Sequence, residues 1–322
     1  MEFIQWTPSR LAIGCVITPE SPITSLDYHK NGQYLVLATK ESALHLIDSI
    51  TGVEKKKILM KTHGIGLVKF THHESCVLVT SERNTHAIRY VSIIDNKYLR
   101  FFKAHNARVV SISMSPVNDH FLSASVDGMI YLWDLASPKQ VAMLRLPEPC
   151  LNLKVSFDST GTIFGVLTNG SDPERPKRYL KLFAAELSPN SSENAPFLDL
   201  VPSDASIRAA ISKVYPPVST SQMEKYLKAT WTDFIFSPDG ANVFVNTNSD
   251  MLLILDSYSA EKEPLVICSR KNAAELPHLG FAYSADGKFL LAANEDKEII
   301  VYDARNGATV TILRSLYPYL CF

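Results

Sequence analysis

The chain has 322 residues, 46% of them hydrophobic and 20% charged, with a formal net charge of −1. That length corresponds to one large domain or two ordinary ones, and the balance supports a sizeable core. The near-zero charge excludes a global positive field that would draw the protein onto nucleic acid, so no direct DNA binding is expected.

The opening residues, MEFIQWTPSRLAIG, lack a basic segment followed by a long apolar stretch, so no signal peptide is read there. The longest apolar runs, such as Met251–Leu255, are too short to cross a bilayer. Cys15, Cys76, Cys150, Cys268 and Cys321 are far apart, odd in number and in no CxxC pair. That argues against a zinc site or a disulfide framework and for a reducing compartment. A soluble, intracellular protein away from the membrane is expected.

Taken in chain order, two short signals alternate. The first is an aromatic or apolar residue, polar residues and a turn: YHKNG (Tyr28–Gly32), FTHHE (Phe70–Glu74), MSPVN (Met114–Asn118), FDSTG (Phe157–Gly161), FSPDG (Phe236–Gly240) and YSADG (Tyr283–Gly287). NG and DG between apolar runs mark hairpins, because both residues tolerate positive φ. The second is an alternating β-rich run: LHLID (Leu44–Asp48), IRYVS (Ile88–Ser92), IYLWD (Ile130–Asp134), LKLFA (Leu180–Ala184), LLILD (Leu252–Asp256) and IIVYD (Ile299–Asp303). A further apolar strand follows, as in Val141–Leu146 and Ala308–Leu313. Six copies of four short strands at a period of about 40 to 50 residues indicate an all-β fold, a β-propeller of WD-repeat type. A helical solenoid is discounted, because the repeats hold no sustained 3.6-residue apolar spacing. The third copy alone ends in a literal Trp133–Asp134.

That copy also carries His105, Ser123 and Asp127, which invites a hydrolase reading. A hydrolase needs a nucleophile on a strained elbow and an oxyanion hole, and no GxSxG is present. In a WD blade the same residue types form a structural network. Asp127 is expected to accept from the imidazole and from turn amides, and Ser123 to link His105 to the Trp133 indole. Catalysis is therefore not expected, and Asp127→Ala is expected to cost about 1–3 kcal/mol through unpaired donors.

Other stretches have two readings each. PERPKRYLK (Pro173–Lys181) gathers Arg175, Lys177, Arg178 and Lys181, either as a phosphate grip or as a solvated turn. Lys55, Lys56 and Lys57 read as a solvated loop. His72 and His73 are adjacent, so in a strand they face opposite ways, and no metal is expected there. Arg89, Tyr98 and Arg100, in IRYVSIIDNKYLRFF, are residue types favoured at binding hot spots, although alternate positions must pack inward.

At DNKYLRFFKAHNARVVSISMSPVNDHFLSASVDGMIYLWDL (Asp95–Leu135) the chain resembles the WD-repeat subunit shared by the COMPASS histone-lysine methyltransferase and, in fungi, the cleavage and polyadenylation factor. Family members carry a DNKY-R-F strand, a GH loop and a closing LWDL. THAIRYVSIIDNKYLRFF (Thr85–Phe102) and TWTDFIFSPDGANVFVNTN (Thr230–Asn248) also match family stretches. Ala104 departs from the usual Gly before the His, and Gly128–Met129 from a Lys–Thr type pair.

The resemblance implies a noncatalytic, cofactor-free nuclear adaptor. Its implied partners are methyltransferase-complex subunits, polyadenylation-factor subunits and the phosphorylated tail of RNA polymerase II. The alternative is a WD-repeat scaffold outside chromatin, such as a ubiquitin-ligase substrate receptor or a trafficking adaptor. The resemblance also implies a single domain over 1–322, closing seven blades with a strand near Leu11–Ile17. After Leu313 only RSLYPYLCF remains, so the seventh blade is expected to be incomplete. An element at 201–228, within Val201–Thr230, is inserted between blades four and five and is expected to hold one or two short helices.

Overall fold

The computed structural model describes residues 17, 19–83, 85–146, 151–170, 172, 177–189, 194–214, 217–276 and 279–314. Within them the chain forms six four-stranded antiparallel sheets, each an up-and-down meander. Blade one is β1 (Ile23–Tyr28), β2 (Tyr34–Thr39), β3 (Ala43–Asp48) and β4 (Glu54–Leu59). Blade two is β5 (Val68–Phe70), β6 (Cys76–Thr80), β7 (Ile88–Ser92) and β8 (Lys97–Phe102). Blade three is β9 (Val109–Met114), β10 (His120–Ser125), β11 (Met129–Asp134) and β12 (Gln140–Arg145). Blade four is β13 (Leu151–Phe157), β14 (Ile163–Asn169), β15 (Arg178–Ala184) and β16 (Leu198–Asp199). Blade five is β17 (Trp231–Phe236), β18 (Asn242–Thr247), β19 (Leu252–Asp256) and β20 (Leu265–Ile267). Blade six is β21 (Phe281–Tyr283), β22 (Phe289–Ala293), β23 (Glu298–Asp303) and β24 (Thr309–Arg314).

The repeated turn explains why the copies fold alike. Gly240 and Gly287 sit at φ +73° and +69°, which a Cβ would oppose. The preceding Asp239 and Asp286 accept from the Ala241 and Lys288 amides at 3.0 and 3.1 Å. Hydrogen bonding holds both carboxylates below their ordinary range, chiefly through the Ser237 and Ser284 hydroxyls.

Strand alternation then divides the core. Val77 and Val79 of β6 pack with Val36 and Ala38 of blade one, while Leu78 between them packs with Phe121 and Trp133 of blade three. The same happens at the boundaries of blades three and four, four and five, and five and six. The first strands pack in series, β1 on β5, β5 on β9, β9 on β13 and β13 on β17. Side chains stitch them, with Ser25 and Asp27 taking the Val68 and Phe70 amides and Ser111 and Ser113 those of Val155 and Phe157.

The six-bladed all-β propeller read from the repeats is present. The expected seventh blade rests on Leu11–Ile17 and on the residues after Arg314, which apart from Ile17 lie outside the described residues. Between blades four and five lie α1 (Asp204–Ser212) and α2 (Thr220–Lys228), capped by Ser203 and Ser219. Ile207, Ala210, Ile211 and Tyr226 bury against Leu200 and Trp231, and α1 packs on β20, which would otherwise be an uncovered sheet edge. The Lys55–Lys57 run is a correction. It lies in β4 rather than in a loop, as an outer strand whose lysines guard a sheet edge. Among the described residues no helix is long and apolar enough to cross a membrane.

Candidate functional site

The blade-three network forms around Ser123, which is fully buried. Trp133 Nε1 donates to Ser123 Oγ at 2.8 Å, and Ser123 Oγ lies 2.6 Å from His105 Nε2. The indole can only donate, so Ser123 accepts from it, while the direction of the bond to Nε2 is set by the imidazole tautomer. Its ring stands edge-on to Tyr131 at 4.7 Å. Trp133 is enclosed by Phe102 and Phe121. Burial pushes the His105 imidazole down to about 4, against the opposing pull of the Asp127 charge.

Asp127 corrects part of the expectation. It is exposed, and it accepts the Met129 amide at 3.0 Å inside the turn. It does not reach the imidazole, and His105 Nδ1 is buried without a partner. The structure brings together three of the four network residues and leaves the fourth as a turn-former.

The outer strand of blade two carries the candidate contact residues in three different settings. Tyr98 is 44% exposed and Phe101 41%. Their rings meet at 5.5 Å, and Lys103 Nζ lies 5.7 Å over Phe101. Arg100 is half-buried, and its guanidinium donates to the Leu135 carbonyl, tying blade two to blade three. Arg89 is only 2% exposed, so it is not the surface contact that its spacing suggested. Leu99 and Ile94 extend the exposed apolar surface beside Tyr98.

In the basic run of blade four the described members take separate roles. Arg175 lies outside the described residues. Lys177 closes a backbone turn by accepting the Gly170 amide at 2.8 Å. Arg178 turns inward: it reaches Asp204 at 3.3 Å, donates to the Leu227 carbonyl and lies 5.5 Å over the Trp231 ring. It is a strut that fastens α1 and α2 to the blade. Lys181 pairs with Asp199 at 3.5 Å.

Sequence reasoning missed the buried Arg270. It gives its guanidinium to Asn246 Oδ1 and to the Thr247 and Ser249 carbonyls, all at 2.6 Å. An arginine in a polar loop carries no signal of such burial. Among the described residues no cluster of three or more His, Cys, Asp or Glu side chains is placed to hold a metal.

Residues 96–134 match the family model described as WD domain, G-beta repeat. The match covers one repeat, from β8 to β11 of the six-bladed fold. Over most of its length the chain is similar to relatives that include the following three. "WD repeat-containing protein 82" of Drosophila melanogaster is 26% identical, covering 92% of this chain and 82% of the relative. "Set1 complex component swd2" of Schizosaccharomyces pombe is 28% identical, covering 87% and 70%. "COMPASS component SWD2" of Saccharomyces cerevisiae is 27% identical, covering 91% and 79%. The resemblance read at Asp95–Leu135 agrees with these names.

Proposed function

We propose that this WD-repeat chain is a noncatalytic subunit of a nuclear COMPASS-type histone-lysine methyltransferase complex. The observation that carries the reading is similarity to Set1- and COMPASS-named relatives across about nine-tenths of the chain. The mechanism is presentation: a rigid ring holds outer strands and short loops in place, so a partner binds with little ordering cost. Tyr98 and Phe101 on β8 form the first docking surface, flanked by Lys97 and Lys103. The whole of 1–322 acts as one propeller domain, with 201–228 as an inserted brace.

The noncatalytic reading is supported by the chemistry of Ser123. Its hydroxyl is fully buried and bonded to an indole, so no acyl carbon can approach it. On the same reading the subunit links its complex to RNA polymerase II through the phosphorylated tail, and serves mRNA 3′-end processing through polyadenylation-factor subunits.

A tagged pulldown from nuclear extract, read by mass spectrometry, tests this. Recovery of a SET-domain methyltransferase supports the complex, and co-recovery of polyadenylation subunits supports the second role. Recovery of cullin-ligase or vesicle-coat components in their place would overturn both.

A further inference from the structure

Among the described residues three arginine side chains are buried, and two of them spend both Nη groups on acceptors, leaving only Nε unpaired. Arg270, 1% exposed, has three oxygen acceptors at 2.6 Å. Arg178 has a carboxylate, a carbonyl and an indole face. Arg89 is the exception. Its Nε and Nη1 are buried with no partner, and Nη2 has a single long contact, 3.5 Å to Thr85 Oγ1. The nearest π face, Tyr98, is 6.0 Å away. No carboxylate lies within ion-pair distance of it among the described residues. A guanidinium stays charged, and burying it unpaired is strongly unfavourable.

Strand register explains how this arose. Arg89 faces Val79 across β7 and β6, as Tyr131 faces Ser123 across β11 and β10. In blade two the network hydroxyl is therefore replaced by Val79, and the ring that stacks on the loop histidine is replaced by Arg89. The loop histidine itself persists as His63, whose carbonyl accepts the Glu82 and Arg83 amides. Its Nδ1 is also buried and unpartnered, and it feels the Arg89 charge. An unpartnered guanidinium and an unpartnered imidazole nitrogen thus lie within electrostatic reach of each other at the boundary of blades one and two. Thr85 is exposed beside them.

We infer that Arg89, His63 and Thr85 form an oxyanion site, entered from Thr85, that takes a carboxylate or a phosphate group. Arginine suits both ligands, because its planar fork matches two oxygens at once. The hydroxyl of Thr85 supplies a third donor once its long contact to Arg89 is displaced. This site does not rest on the complex-subunit reading and would exist in any WD-repeat scaffold built from these residues.

The test is thermal unfolding of the full chain in sodium phosphate, sodium acetate and sodium chloride at matched ionic strength. The site predicts a saturable rise in Tm with phosphate or acetate over chloride, about 3 °C at ten times Kd. A larger response to phosphate identifies a phosphate source, and a larger response to acetate a carboxylate. Arg89→Met should abolish the rise and, in chloride, be as stable as the parent or more so. Arg108→Met, which removes an exposed cation elsewhere, should retain it. If Arg89→Met does not fold, His63→Gln, which keeps the guanidinium, must weaken the response. A parent protein that responds to neither anion beyond chloride overturns the site. So does a response left unchanged by Arg89→Met or by His63→Gln.

Discussion

In blade three, the loop after β8 brings His105 onto Ser123, and a neutral chain of three side chains seals the boundary with blade two. At the boundary of blades five and six, the corresponding loop after β20 brings in Arg270, and a guanidinium clamps Asn246 and two carbonyls. One loop position therefore carries two chemistries. The neutral network leaves an imidazole that can still titrate. The cationic clamp is insensitive to ordinary pH but leaves three acceptors stranded if it is removed. At these two boundaries the same loop position is tied to a blade by different residue types, so the position alone does not fix the residue.

The comparison breaks most severely at Arg270. Arg270→Met should destabilise the protein by about 3–5 kcal/mol in denaturant melts, because three buried acceptors lose a charged donor. A loss below about 1 kcal/mol would mean that the clamp is not structural.

The titration is the second difference. His105 has an ordinary value of 6.5 when unfolded and about 4 when folded, so between those values the unfolded chain holds the extra proton. Stability from this residue is full above pH 6.5, declines as pH falls towards 4, and then levels, for a total of up to about 3 kcal/mol. The stability–pH curve of the parent minus that of His105→Gln should show this decline. A flat difference would contradict it.

Ser123→Ala comes next, at about 1–3 kcal/mol, since the Trp133 N–H and the His105 Nε2 both lose their partner. Asp127→Ala should have the smallest effect, under about 1 kcal/mol, because the residue is exposed and makes one turn bond. Equal losses for these two variants would restore Asp127 to the network.

The same contrast shows what the sequence makes legible. Blade three is readable because His105, Ser123 and Trp133 stand at motif spacing. The drifted blades are readable through turns such as Ser284–Gly287, whose chemistry demands those residue types. Arg270, Arg178 and Arg89 are not readable, because a lone arginine in a polar context is ordinarily solvated and only tertiary packing buries it. Lys55–Lys57 misleads for the opposite reason: charge suggests a loop, yet lysine is also the usual guard of an edge strand. On β7 and β8, composition pointed to a group of candidate contacts but could not assign their burial. Tyr98 and Phe101 are exposed, whereas Arg89, although paired with Phe101 across β7 and β8, is buried, and Arg100 is tied to the Leu135 carbonyl.

The most direct test of the subunit reading is a paired nuclear pulldown of the parent chain and a Tyr98→Asp, Phe101→Asp double variant with an unchanged melting temperature. The account predicts that the parent recovers a SET-domain methyltransferase and the folded variant does not. A parent that recovers no methyltransferase, or a variant that recovers it undiminished, would contradict the proposed adaptor role through β8.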